Sequence, residues 1–176
     1  MGTPFLEHTL YRSLVGALQY LTIMRPDISY VVNHVSHFLQ APASDHFQVV
    51  KRILRYVKGT IVYGLSFHHT PNPSILGYSD ADLARCLETR RSTYGYSIFL
   101  GGNLFSWSAK KQPTVARTSY ESEYRALANT VAEVVWITHL LRELHVLPPD
   151  RPTTLCDNKS VLFNNNNKTQ IPQKWV

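Results

Sequence analysis

The feature that most constrains this chain is a change of hydrophobic period near residue 70. Upstream, apolar residues recur at helical spacing: Leu14, Leu18 and Leu21 with Val15 alongside, then Phe47, Val50, Leu54 and Val57. Downstream of Pro71 and Pro73, short runs rich in aromatic and β-branched residues take over. One regular layer cannot serve both patterns. The sequence therefore predicts a small helical subdomain over 1–70, an α/β domain over 71–163, and a polar, aperiodic tail over 164–176 that is expected to be disordered.

Within the first part, Pro26-Asp27 interrupts the leucine pattern. A second helix is expected from Pro26 to Gln40, before Ala41-Pro42. Ser44 suits the N-cap of a third helix and Gly59 its stop. In the second part, strands are expected at Ile75–Asp80, Tyr94–Leu100 and Leu104–Ala109, the last two joined as a hairpin by Gly101-Gly102-Asn103. A long helix should follow over Ser119–His145, with Tyr124, Leu127, Ala128, Val131, Val135 and Leu144 on its buried side. Thr153–Asp157 reads as a fourth strand and Asn158–Phe163 as the start of another helix. Three strands, a crossover helix and a further strand make a sheet with one antiparallel side, in which ligands favour the carboxyl ends of parallel strands.

Composition narrows the class of function. The net charge of +6 is shared evenly, +3 on residues 1–70 and +3 on 71–176, a modest field compatible with a polyanionic partner. The two cysteines, Cys86 and Cys156, are too few for a disulfide framework and lack zinc spacing. No apolar run is long enough to span a bilayer, and Met1–Phe5 does not read as a secretory signal. Leu6 stands where a myristoylation motif expects Ser or Thr. No membrane and no small-molecule cofactor are expected.

Three carboxylates fall where the sheet can gather them. Asp80 shares a strand face with Leu76 and Tyr78, Glu123 lies in the first turns of the long helix, and Asp157 closes the fourth strand. Each also has an ordinary use, as a strand-end turn, a helix cap or a first-turn acid. Thr118-Ser119-Tyr120-Glu121 matches a capping box that turns Glu121 back to the helix start, and Glu123 lies about 200° around the helix from it. Glu123 is thus the better candidate ligand. Clustered acids repel one another, and hard divalent cations remove that conflict. A basic stripe, Lys51, Arg55 and Lys58 with Arg52 nearby, reads either as a solvated face or as a phosphate-tracking one. His34 and His37 share a helix face without a neighbouring acid or thiol and read as packing or surface histidines.

Long ordered motifs resemble the Pol polyprotein of copia-type (Pseudoviridae-like) long-terminal-repeat retrotransposons, with plant elements the nearest impression. Tyr11–Thr22, Arg25–Ile28 and Lys51–Thr60 are similar to the segment after the polymerase palm. Tyr78–Asp82, Thr89–Thr93, Ser106–Pro113, Glu121–Ala128 and Cys156–Ser160 are similar to the family's ribonuclease H domain. The resemblance covers residues 9 to 163. It implies a ribonuclease H-like mixed sheet, lacking the last strand and helix, preceded by a reverse transcriptase thumb or connection remnant.

The resemblance further implies that Asp80, Glu123 and Asp157 match three of four metal-binding acids. The implied reaction is hydrolysis of RNA in RNA–DNA hybrids with two Mg2+ ions, or Mn2+, in an intact family site. Lys51, Arg55, Lys58, Lys110 and Lys111 are then the nucleic-acid-binding candidates, with other reverse transcriptase domains as possible partners. The paired-aspartate polymerase motif is absent, so no polymerase activity is expected. The family's Trp and Gly after the first acid are replaced by Leu83 and Arg85, and an asparagine run follows Phe163. Loss of the fourth acid implies weak or absent hydrolysis, leaving a hybrid- or duplex-binding module, or a functionless remnant, as alternatives. The family context places such a chain in cytoplasmic virus-like particles, or in the nucleus.

Overall fold

The computed structural model describes residues 3–71, 73–86, 89–146, 148 and 150–157, with the backbone of 169–170. It divides into two compact units, Met1–Leu65 and Ser66–Val176. The division falls before the proline linker because residues 68 and 70 belong to the second unit. His68 N–H donates to Asn103 Oδ1 at 2.7 Å, and Thr70 Oγ1 donates to the Gly101 carbonyl at 2.8 Å.

The first unit contains α1 (His8–Leu21), a 3₁₀ turn at Pro26–Ile28, α2 (Ser29–Ser36) and α3 (Ser44–Gly59). The expected helix from Pro26 to Gln40 is therefore shorter and starts as a 3₁₀ turn. Ser36 Oγ donates to the Asn33 carbonyl at 2.7 Å, and beyond it the Leu39 carbonyl accepts from Arg12 Nε at 2.9 Å. Such side-chain bonds compete with another helical turn. Ala43, rather than Ser44, occupies the N-cap of α3, and its N–H donates to His46 Nδ1 at 3.1 Å.

Tyr11, Val15, Leu18, Ile28, Val32, Val35, Val50 and Ile53 form the first core. Inside it Tyr11 donates to the Val35 carbonyl at 2.8 Å, and burial pushes its phenol up to about 12. Arg25, only 3 % exposed, is satisfied on all sides. Its guanidinium grips Asp27 at 2.9 and 2.7 Å and donates to the Thr60 carbonyl and hydroxyl at 2.9 and 2.8 Å. It also stands over the rings of Tyr56 and Tyr63.

The second unit holds β1 (Ile75–Asp82), β2 (Thr93–Leu100), β3 (Asn103–Lys111), α4 (Ser119–Glu143), β4 (Thr153–Cys156) and the two-residue β5 (Thr169–Gln170). The strand order is β3-β2-β1-β4-β5. β1 is antiparallel to β2 and parallel to β4, and β5 is antiparallel to β4. This is the ribonuclease H-like mixed α/β arrangement expected, with helices in the N-terminal part. The helix expected at Asn158–Phe163 lies outside the described residues, as does the tail apart from the β5 backbone.

α4 covers the face of β1 that carries Ile75, Gly77, Ser79 and Ala81, around a core of Ile75, Ile98, Val134, Ile137 and Leu141. Its buried stripe corrects the sequence expectation. Ala128 and Leu144 are exposed, whereas Glu123, Ala126, Leu127, Thr130, Val134, Ile137, Thr138 and Leu141 are buried. The stripe is partly polar because Thr130 and Thr138 donate back to the Ala126 and Val134 carbonyls, at 2.9 and 2.7 Å. A hydroxyl paired in this way is buried with its hydrogen bond made.

The β2–β3 hairpin closes through Gly101 and Gly102, both at positive φ, 58° and 82°, as a two-residue turn demands. A Cβ on Gly101 would lie 2.9 Å from Thr70 Cβ, whereas Gly102 has open space. Gly102→Ala is expected to cost about 1 kcal/mol through the backbone alone. Gly101→Ala should cost clearly more, about 2–3 kcal/mol, because the clash adds to the same strain. Urea denaturation of the two variants checks the ranking, and equal destabilisation would refute the Thr70 clash as the cause.

Candidate metal centre

The direction of the strands decides which side chains can meet. β1 and β4 pair in parallel with Ser79 opposite Cys156. One residue further along, Asp80 and Asp157 are neighbours on the same face, at the spacing of adjacent strands. β3 runs parallel to β1, so α4 begins at this same end and runs back along the sheet. Gly77 packs against Thr130 and Val134. From Gly77 to Ala81 the strand advances about 13 Å, and from the Thr130–Val134 turn back to Glu123 the helix covers about 10–16 Å. Glu123 therefore arrives beside the end of β1.

Ligand oxygens of Asp80, Glu123 and Asp157 all lie within 4.8 Å of one another. Asp80 and Asp157 are exposed, while Glu123 is only 6 % exposed. Glu123 Oε2 is buried without a hydrogen-bond partner among the described residues. Its carboxyl is raised from 4.5 to about 7, first by burial and then by the charges of Asp80 and Asp157. A backbone hydrogen bond from Ala81 works in the opposite direction, and Asp82 adds to the repulsion. An all-oxygen donor set with an orphaned buried carboxylate oxygen fits a hard divalent cation.

Glu121, two residues away, is turned outward. Thr118 Oγ1 accepts from its N–H at 3.1 Å, as a capping box requires. Its own carboxylate accepts from the Arg117 N–H at 2.7 Å and from Arg125 at 2.6 Å, rather than from the cap residue itself. Arg125 also donates to Thr114 Oγ1. Asp82 pairs with Arg85 at 3.1 Å on the surface.

The basic candidates separate. Lys51, Arg55 and Lys58 are exposed on one side of α3 in the first unit, with Lys51 Nζ 4.8 Å from the Phe47 ring centre. Lys110 and Lys111 alternate along β3 and so leave opposite faces of the sheet. Lys110 is exposed, and Lys111 is half-buried with Nζ 3.9 Å from Cys86 Sγ. Neither Cys86 nor Cys156 forms a disulfide among the described residues. Among the described residues, no helix is long and apolar enough to cross a membrane, and no metal-ligating group of three includes His34 or His37. His34 instead meets the edge of Phe38.

Residues that the sequence did not single out frame the cluster. Gln112, Ser92 and Ser122, all essentially inaccessible, link the segments around it. Buried polar residues carry no periodic signal, and only the resemblance of the Thr89–Thr93, Ser106–Pro113 and Glu121–Ala128 motifs touched them.

The chain is 46% identical over 162 residues to the retrovirus-related Pol polyprotein from transposon RE1 of Arabidopsis thaliana, a match that covers 92% of the chain and 11% of the polyprotein. It is 56% identical over 126 residues to an uncharacterised mitochondrial protein of the same plant, covering 72% of the chain and 52% of that protein. It is also 45% identical over 134 residues to the secreted RxLR effector protein 161 of Plasmopara viticola, covering 76% of the chain and 94% of that protein. The chain thus spans about half the mitochondrial relative and about a tenth of the polyprotein. No family model and no solved structure matches it. The chain belongs to the family of copia-type retrotransposon Pol polyproteins, of which it corresponds to one segment.

Proposed function

We propose that the second unit carries a ribonuclease H-type site that hydrolyses the RNA strand of RNA–DNA hybrids with Mg2+, or Mn2+ in its place. The observation that supports this most is the convergence of Asp80, Glu123 and Asp157 within 4.8 Å around a buried carboxylate oxygen with no partner among the described residues. When bound, two divalent ions in such a site would supply an activated water and stabilise the leaving oxygen of a phosphodiester. The chain's own contribution is to hold three oxygen donors in place. Glu123 fixes the buried side, and Asp80 and Asp157 stand at the exposed rim where a phosphate backbone can approach. The reading extends to a nucleic-acid partner, to neighbouring reverse transcriptase domains and to an intracellular setting.

Among the described residues no fourth carboxylate joins the cluster. The chain taken by itself is therefore expected to cut slowly. Incubated with a labelled hybrid and Mg2+, it should give weak cleavage that falls by at least about 100-fold in Asp80→Asn and Glu123→Gln. Cleavage surviving both substitutions would remove these residues from the chemistry.

A second reading, a module that grips hybrid or duplex without cutting, is favoured by the exposed Lys51, Arg55 and Lys58 on one side of α3. Their replacement by Gln should flatten the slope of log affinity against log salt by about 0.9 for each phosphate no longer neutralised. An unchanged slope in the triple variant would make the stripe an ordinary solvated surface.

The buried acid also predicts a pH dependence in buffer free of divalent ions. Below pH 4.5 the Glu123 carboxyl is protonated in both folded and unfolded chains. Between 4.5 and about 7 the unfolded chain releases the proton while the folded one retains it, so stability falls as pH rises. The loss attributable to this group reaches at most about 3 kcal/mol. In urea titrations the advantage of Glu123→Gln over the wild type should grow from pH 4.5 to 7, and a constant difference would contradict the assignment.

A further inference from the structure

The first turn of α4 carries Glu123 into a cluster of like charges, so something must hold that turn against the sheet. Its outer side is tied by Arg125 to Thr114 and by Glu121 to the Arg117 N–H. Its inner side is held by one buried amide. Gln112, 1 % exposed, donates from Nε2 to the Ser122 carbonyl at 2.9 Å. That carbonyl and the Glu123 N–H belong to the same planar peptide group. The bond therefore fixes the peptide from which the Glu123 side chain springs.

The backbone of Gln112 reaches the other side of the cluster. Its N–H donates to the Ser92 carbonyl at 2.8 Å. Ser92, fully buried, accepts from the Ala84 N–H at 3.3 Å, in the loop that follows Asp80 and Asp82. Ala84 is held there at a positive φ of 51°. Gln112 thus joins the end of β3 to the first turn of α4 and to the start of β2, and through Ser92 to the loop after β1. Gln112 Oε1 is buried without a partner among the described residues. An orphaned acceptor makes this glutamine a poor choice for stability alone, since an apolar side chain of similar shape would avoid the desolvation cost.

We infer that Gln112 is a positioning residue that presets the Glu123 carboxylate for a divalent cation, through its bond to the Ser122–Glu123 peptide. The inference rests on the divalent-metal reading of the Asp80, Glu123 and Asp157 cluster. Groups that orient a ligand from behind commonly govern metal affinity by about 10- to 100-fold.

The test is Mn2+ binding to the full chain, followed by the decrease of the free Mn2+ electron paramagnetic resonance signal. Gln112→Met fills the same space without a donor, and Gln112→Asn keeps the amide but is too short to reach. Both should weaken Mn2+ binding about tenfold or more, and Asn decides if the Met variant fails to fold. Leu141→Ala, at the far end of α4, destabilises the helix without touching this turn and should leave the dissociation constant within about twofold. Wild-type affinity in the Gln112 variants, or an equal weakening in Leu141→Ala, overturns the role of Gln112 alone. Absent wild-type binding, or binding undiminished by Asp80→Asn, overturns the metal reading and this inference with it.

Discussion

Three carboxylates within 4.8 Å of one another set the terms for the second unit. At that separation each pair repels by up to roughly 3 kcal/mol at an effective dielectric of about 20, and by less at exposed Asp80 and Asp157, where water screens them. The parallel register of β1 and β4, the return direction of α4 and the buried links around Gln112 all converge on the same point. The first unit shows the opposite solution. There Asp27 meets the Arg25 guanidinium and the Tyr56 hydroxyl, and its carboxyl is held below the ordinary range chiefly by the arginine bond. Glu123 is pushed the other way, first by burial and then because its neighbours share its sign. One acid finds its partners within the first unit, and the other keeps an oxygen with no partner among the described residues.

This contrast separates a structural ion pair from a candidate site more sharply than burial alone. Both involve side chains drawn out of water, and both lie within motifs of the same family. Arg25 is satisfied by carboxylate, carbonyl, hydroxyl and aromatic faces, which ties the turn after α1 to the end of α3. Nothing further is needed there. At the carboxyl end of β1 and β4, the charges that act on Glu123 among the described residues are all negative.

Much of this was legible in the residues. Period alone separated the helices from the strands, because α3 shows a continuous apolar stripe and β1 to β3 are short and β-branched or aromatic. Gly101-Gly102 announced its turn, since few other pairs accept two positive φ values. Glu123 was distinguished from Glu121 by capping logic and helical angle, and the two do face different partners. The buried side of α4 was less legible. Its stripe includes Thr130, Thr138 and Glu123, which a reading by hydrophobicity assigns to the surface. Lys110 and Lys111, adjacent in the sequence, were grouped as one feature although strand geometry parts them. Gln112, Ser92 and Ser122 left no trace in composition or spacing, because what makes them important is a partner distant in the chain.

The parallel pairing of β1 with β4 has a kinetic consequence. Helices α1 to α3 and the β2–β3 hairpin are made of contacts between near neighbours in the chain, the kind that form quickly. Asp80 and Asp157 meet only after two further strands and a long helix have been laid down between them. Loop-closure entropy makes such a distant pairing a late event. A nascent chain leaving the ribosome would thus complete its N-terminal bundle first and bring its acids together last. During synthesis, this group of like charges would be assembled only after much of the surrounding scaffold already exists.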